Sequence, residues 1–140
     1  LVRLVRGRIR ATAQNRERIS NFRSLYADDY AGWSAARTAL RTMGGLCRAK
    51  GVPLVVAIFP LFGNPLDERY PFEEEHARVA QVAAGAGAKV VDLLPWYRGL
   101  RWELLVVDGA RDEHPNEIAH RIAAQTLVRA VDEVVPRGER

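Results

Sequence analysis

Cysteine, lysine and long apolar runs are nearly absent from this 140-residue chain. Cys47 stands alone, so no intrachain disulfide can form. It falls on an apolar helical stripe, where a cysteine behaves as a small buried hydrophobe. The longest apolar run, 52–59, is interrupted by Pro53 and is far shorter than the roughly 20 residues needed to cross a bilayer. No transmembrane segment is expected, and no signal peptide is visible. The first residue is Leu1 rather than Met, and Leu1–Arg6 reads as mid-sequence text. That leaves room for a targeting segment upstream, so the compartment is unassigned, with a soluble, cytoplasmic location favoured because no signal peptide is visible. There is no Cys/His cluster at metal-ligand spacing, no Gly-rich phosphate loop after a strand, no repeat and no low-complexity tract. Neither a metal nor a cofactor is expected.

The positive charge comes almost entirely from arginine and is unevenly spread. Residues 1–48 hold ten arginines against three acids (Glu17, Asp28, Asp29), a local balance of +7. Residues 49–140 carry a balance of −3, within a net charge of +4. A basic N-terminal third suits an anionic surface or an acidic neighbour as well as a solvated face. It lacks interleaved aromatics and any helix-turn-helix pattern, so nucleic acid is not an expected partner.

Length and apolar content (48% hydrophobic) suit one α/β domain over 1–140, with 1–30 as a basic helical lead-in. Leu1, Leu4, Val5, Ile9, Ile19, Phe22 and Leu25/Tyr26 recur at mostly helical spacing. Trp33, Ala36, Leu40, Met43 and Cys47 step by three and four, one stripe of a core helix closed by Gly51 and Pro53. The run 52–59 lacks the alternation of a half-exposed strand and reads as a parallel strand covered on both faces. A proline-rich loop from Pro60 to Pro71 follows, where open α/β folds place ligands or where a plain surface excursion would run. Phe72, His76, Val79, Ala80 and Ala83 mark the next helix, with Glu73–Glu75 in its first turn and His76 as a half-buried helix residue. Residues 88–94 form a second strand. Trp96, Tyr97, Leu100 and Trp102 belong to an irregular segment over the sheet edge, and 103–107 to a short edge strand. A loop over 108–114 leads to a helix from Pro115 to about Val135, its apolar face being Ile118, Ile122, Ala123, Leu127, Ala130 and Val134. This alternation predicts a three-layer α/β/α sandwich around a parallel sheet with right-handed crossovers. Two or three strands are few for such a sheet, so the chain reads as the C-terminal part of a larger fold.

The chemistry-bearing string is Asp112-Glu113-His114-Pro115-Asn116. It sets a carboxylate and an imidazole two residues apart, just ahead of a helix. One reading is a helix start alone, with Asp112 or His114 as cap, Pro115 at the first helical position and Glu117 in the first turn. The other is a general base held on a loop with an acid beside it.

That string, followed by Ala119-His120 and Ile122-Ala123, resembles the last conserved block of the SGNH (GDSL-type) hydrolases. Residues 33–60 resemble the helix–strand–Pro unit of that family, and 90–95 its penultimate strand. The resemblance covers roughly residues 26–135. It implies a flavodoxin-like sandwich and a serine ester hydrolase or O-acyl esterase, in which His114 is the base and Asp112 orients it. Many members space this pair as D-x-x-H, whereas here Arg111 stands three before His114 and Asp112 two before. Ser20, Ser24 and Ser34 are the only serines, and none follows a strand in a Gly-Asp-Ser context. Gly63-Asn64-Pro65 is not the family's Gly-x-Asn-Asp oxyanion block. The resemblance therefore implies that the nucleophile and oxyanion residues lie elsewhere and that these 140 residues alone are nearly inactive.

On this reading Pro60, Leu61, Phe62, Asn64, Trp96 and Tyr97 border the acyl or alcohol site, and Asn116 trims the helix start. The expected partner is a small-molecule, carbohydrate or lipid ester. The competing expectation is a non-catalytic α/β module that binds a partner or an anionic surface through its Arg-rich N-terminal helices.

Overall fold

A computed structural model describes residues 15–109 and 111–135. The expectations for Leu1, Leu4, Val5 and Ile9 lie outside the described residues. The chain divides into two compact units, 1–38 and 39–140, taken here one at a time.

In the first unit, helix α1 runs over 15–24 and gives way to turns before helix α2, Ala31–Ala49. Phe22, Tyr26 and Trp33 form an aromatic chain with ring centroids 5.6 Å and 5.3 Å apart. Arg37 covers the Trp33 ring at 5.8 Å and pairs with Asp28 at 3.3 Å. Trp33 is buried beneath these contacts.

The stripe expected to bury α2 does so only in part. Leu40 and Cys47 are half-buried, Ala36 is exposed and Met43 is 45% exposed. The buried residue in the second half of the helix is instead Gly44. A Cβ there would strike the backbone carbonyl of Ala86, so the absence of a side chain allows two backbones to meet. The Arg48 guanidinium also donates to that carbonyl. The helix stops as the sequence indicates, with Gly51 in the left-handed region at φ 64°.

In the second unit, strand β1 (Val55–Ile58) pairs in parallel with β2 (Lys89–Asp92), in the register Val55↔Lys89 to Ile58↔Asp92. Helix α3 (Glu73–Gly85) makes the crossover between them, as a parallel pair requires. Three glutamates occupy its first turn, where the dipole favours negative charge. Beyond β2 come a single helical turn α4 (Leu94–Tyr97), a 3₁₀ turn (Trp102–Leu104) and strand β3 (Val106–Asp108). Strand β4 (Asp112–Pro115) runs antiparallel to β3, and helix α5 spans Glu117–Val134. The fold of this unit is mixed α/β, with one parallel and one antiparallel pair among the described residues. No helix among them is long and apolar enough to cross a membrane.

Three local expectations are corrected. First, β1 is not covered on both faces: Val55 and Val56 are half-buried and Ala57 is exposed, because β2 is its one partner strand among the described residues. Second, 103–107 is not one edge strand, and 108–114 is not a plain loop. A 3₁₀ turn precedes β3, and β3 and β4 form a hairpin that places Asp112 and His114 on a strand. Third, the buried face of α5 consists of Ala119, Ala123, Thr126 and Ala130. The larger Ile122, Leu127 and Val134 flank it half-buried, and Ile118 is 48% exposed. Small residues at this spacing let the helix axis come close to the layer beneath it.

Candidate active site

Asp112 and His114 both lie on β4, and an i, i+2 spacing on a strand places two side chains on the same face. The two are joined twice. The His114 backbone N–H donates to Asp112 Oδ1 at 3.0 Å, and the imidazole Nδ1 lies 2.6 Å from the same oxygen. The first bond is the local turn that an aspartate forms with the amide two residues on. It fixes the carboxylate where the ring can reach it. A D-x-H spacing thus supplies its own geometry, and no acid is needed at the position that Arg111 occupies. The His114 amide and then its imidazole hold the Asp112 carboxyl below the ordinary value of 3.8. With Nδ1–H donated to the carboxylate, Nε2 is left with its lone pair outward. The His114 side chain is 87% exposed.

Asn116 is the helix cap. Its side-chain oxygen accepts from the N–H groups of Ile118 and Ala119, and its amide donates to the carbonyls of Leu104 and Val106 at 3.0 and 3.1 Å. Pro115, expected at the first helical position, instead closes β4 opposite Val106. Asn116 outcompetes it because one side chain can serve both the helix start and the preceding strand.

His114 stands between two clefts. One, of about 410 Å³, is lined by Phe59, Pro60, Leu61, Phe62, Glu113, His114 and Pro115. The other, of about 480 Å³, is lined by Arg111, Asp112, Glu113 and His114. The first opens at the carboxyl end of β1, where ligands bind in open α/β sheets. His120 on α5 meets Phe59 edge-on at 6.3 Å, so the first turn of α5 adjoins the same corner.

The structure therefore brings Pro60, Leu61 and Phe62 to His114. The other three residues expected at the site lie elsewhere. Asn64 is buried, and its amide donates to the Leu61 and Phe62 carbonyls, which makes it the brace of the loop. Tyr97 is fully buried, with its ring edge-on to Phe62 and its hydroxyl donating to the Ala119 carbonyl at 2.7 Å. Burial pushes its phenol pKa up. Trp96 is 50% exposed and lies under the Arg129 guanidinium. Ser20 and Ser24 sit on α1 and Ser34 on α2.

The sequence reading missed a buried relay behind the cleft. The Leu61 N–H donates to the Tyr70 hydroxyl at 2.8 Å. That hydroxyl lies 3.2 Å from His76 Nε2, and His76 Nδ1 lies 2.9 Å from Asp92 Oδ1. Asp92 Oδ1 also accepts the Leu94 N–H at 3.0 Å. The chain is satisfied when tyrosine donates to Nε2 and Nδ1–H donates to the carboxylate. Burial works against the Asp92 charge, and the His76 and Leu94 bonds outweigh it, leaving that carboxyl below 3.8. His76 is buried rather than half-buried. The available signal was an aspartate set between the apolar pairs Val90-Val91 and Leu93-Leu94 at the end of a strand, where a charge calls for a partner.

Gly63 sits at φ 84°, and a Cβ there would overlap the Glu113 carboxylate. Among the described residues, no three His, Cys, Asp or Glu side chains cluster to hold a metal ion. Comparison with family models, curated proteins and solved structures finds no match to this chain.

Proposed function

We propose that this chain carries the acid–base half of a serine ester hydrolase of the SGNH (GDSL) type, built on a three-layer α/β/α sandwich. The observation that carries the reading is the 2.6 Å contact between His114 Nδ1 and Asp112 Oδ1 beside the exit of a parallel strand. It sets one imidazole nitrogen against an acid and leaves the other open to a reacting group.

In the proposed reaction, a serine hydroxyl attacks the ester carbonyl while His114 Nε2 takes its proton. Asp112 stabilises the imidazolium, which returns the proton to the departing alcohol. Water then attacks the acyl-serine by the same route, releasing the acid. The serine and the oxyanion donors come from polypeptide outside these 140 residues, since Ser20, Ser24 and Ser34 are helical and the Asn64 amide is turned inward. Without them the Asp–His pair does little, because losing even one oxyanion donor costs about 10²–10³ in rate.

The test is fluorophosphonate labelling of this chain beside a polypeptide extended upstream to the start codon of its gene. Labelling of the longer polypeptide alone, slowed by His114→Ala on the order of 10³-fold or more, is the expected result. Labelling of neither, or labelling indifferent to His114→Ala, overturns the reading in favour of a binding module.

A further inference from the structure

The proline-rich loop after β1 also lines a second, separate cleft. There its end, 65–69, faces the segment 99–103 across a space of about 350 Å³, within the range of roughly 300 to 1,000 Å³ usual for small-molecule sites. The two walls are tied together by backbone. The Gly99 N–H donates to the carbonyl of buried Leu66 at 3.1 Å, and Gly99 makes the turn at φ 76°. A cleft fixed in this way loses little freedom when a ligand enters.

Its lining has an apolar part and a charged part. Leu66 is buried, Trp102 is half-buried and Leu100 is 43% exposed. Around them stand two ion pairs, each between residues two positions apart. Arg69 forks onto Asp67, with Nε 3.0 Å from Oδ1 and Nη2 2.5 Å from Oδ2. That fork leaves Nη1 with its N–H groups to offer. Arg101 Nε lies 3.8 Å from Glu103 Oε2. Two acids and two bases balance within the lining. An anion drawn to either guanidinium meets the carboxylate beside it, and a cation meets the reverse. A hydroxyl fares better, because it can donate to a carboxylate and accept from a guanidinium at once. Hydrogen bonds to charged partners are also the stronger kind. A ring with neighbouring hydroxyls can span such a pair, while its apolar C–H face suits the electron-rich face of an indole.

We infer that this cleft binds a neutral sugar ring, with Trp102 against the C–H face and the Asp67–Arg69 and Arg101–Glu103 pairs taking the hydroxyls. None of these residues lines either cleft at His114, so sugar binding and the hydrolase reading stand or fall separately.

The experiment is an NMR titration of the protein with the methyl glycosides of glucose, galactose and mannose. At least one is expected to shift the Trp102 indole N–H and the Gly99, Leu100 and Arg101 amides saturably, with a Kd in the millimolar range. Caffeine, a flat neutral aromatic without hydroxyls, should leave these signals in place at the same concentrations. Arg69→Ala and Arg101→Ala each remove one set of donors and should raise the glycoside Kd about threefold or more, as the loss of a hydrogen bond does. Both arginine side chains are largely exposed, 77% and 74%, so the rest of the spectrum should not change. Trp102→Phe keeps a smaller ring and should weaken binding as well.

No saturable shift with any of the three glycosides, or shifts centred outside the cleft, would overturn the inference. So would glycoside binding indifferent to both arginine substitutions. Caffeine binding in the cleft as tightly as the best glycoside would replace the sugar with a flat aromatic ligand.

Discussion

The Leu61 backbone N–H donates to the Tyr70 hydroxyl at 2.8 Å, so the cleft wall beside His114 is pinned from behind by a phenol nine positions further along. The hydroxyl is itself held by His76, and His76 by Asp92. The carboxyl end of β2 thereby sets the position of the segment that leaves β1.

Tyr70→Phe removes the hydroxyl and keeps the ring against Phe72 and His76. It leaves the Leu61 amide and His76 Nε2 without their partner. A buried polar group left unpaired costs about 1–3 kcal/mol, and a loss of that size is expected in urea unfolding. Hydrogen exchange at the Leu61 amide should accelerate with it. An unchanged urea midpoint would show that water replaces the phenol at no cost.

The same relay gives a pH dependence. Asp92 is held below 3.8 in the folded chain, so its charged form contributes stability above that value. The contribution is lost as pH falls through the lower, folded-state pKa. Wild type should therefore lose stability over that acid window, and the penalty of Asp92→Asn at neutral pH should shrink across it. Parallel urea midpoints for the two proteins through the whole acid range would refute the linkage.

Asn116 serves four backbone groups at once. Loss of the cap and of both donated bonds makes Asn116→Ala worth about 2–3 kcal/mol. Asn116→Asp keeps the acceptor oxygen and loses the amide donors, so it should fall between wild type and alanine. If aspartate and alanine destabilise equally, the cap is not the larger contribution.

Gly63→Ala meets two obstacles, a left-handed backbone and the Glu113 carboxylate. The backbone alone costs about 1–2 kcal/mol for a residue with a Cβ, and the overlap adds to it. Combining it with Glu113→Ala should recover only the overlap, which appears as a favourable coupling of about 0.5 kcal/mol or more in a double-mutant cycle. Strict additivity would mean that Glu113 moves aside freely.

Much of the local structure was legible because it rests on short spacings. The Gly51 stop, the acidic first turn of α3, the strand within the 52–59 apolar run and the closeness of Asp112 to His114 each depend on residues a few positions apart. Burial was less legible. Trp33, Ala123 and Ala130 are buried as expected, but the rest of the α2 stripe and the larger residues of α5 are not, and Gly44, Ala119 and Thr126 lie buried in their stead. Periodicity ranks side chains by hydrophobicity, whereas close approach of backbones selects for smallness. The same limit applied at the site. Asn64 and Tyr97 carry polar groups suited to binding, and in the fold those groups are occupied by the Leu61 and Ala119 carbonyls.

By itself the sequence determined the alternation of α2, β1, α3, β2 and α5 and set an aspartate two residues before a histidine. The β3–β4 hairpin that puts their side chains on one face appears only in the structure. Only the tertiary structure decided which loop faces that pair and what holds the loop there. Leu61, Tyr70, His76 and Asp92 span 61–92 and converge because the crossover through α3 returns the chain to lie parallel beside β1. No spacing along the chain encodes that convergence, because it follows from the packing of the crossover and not from any local period.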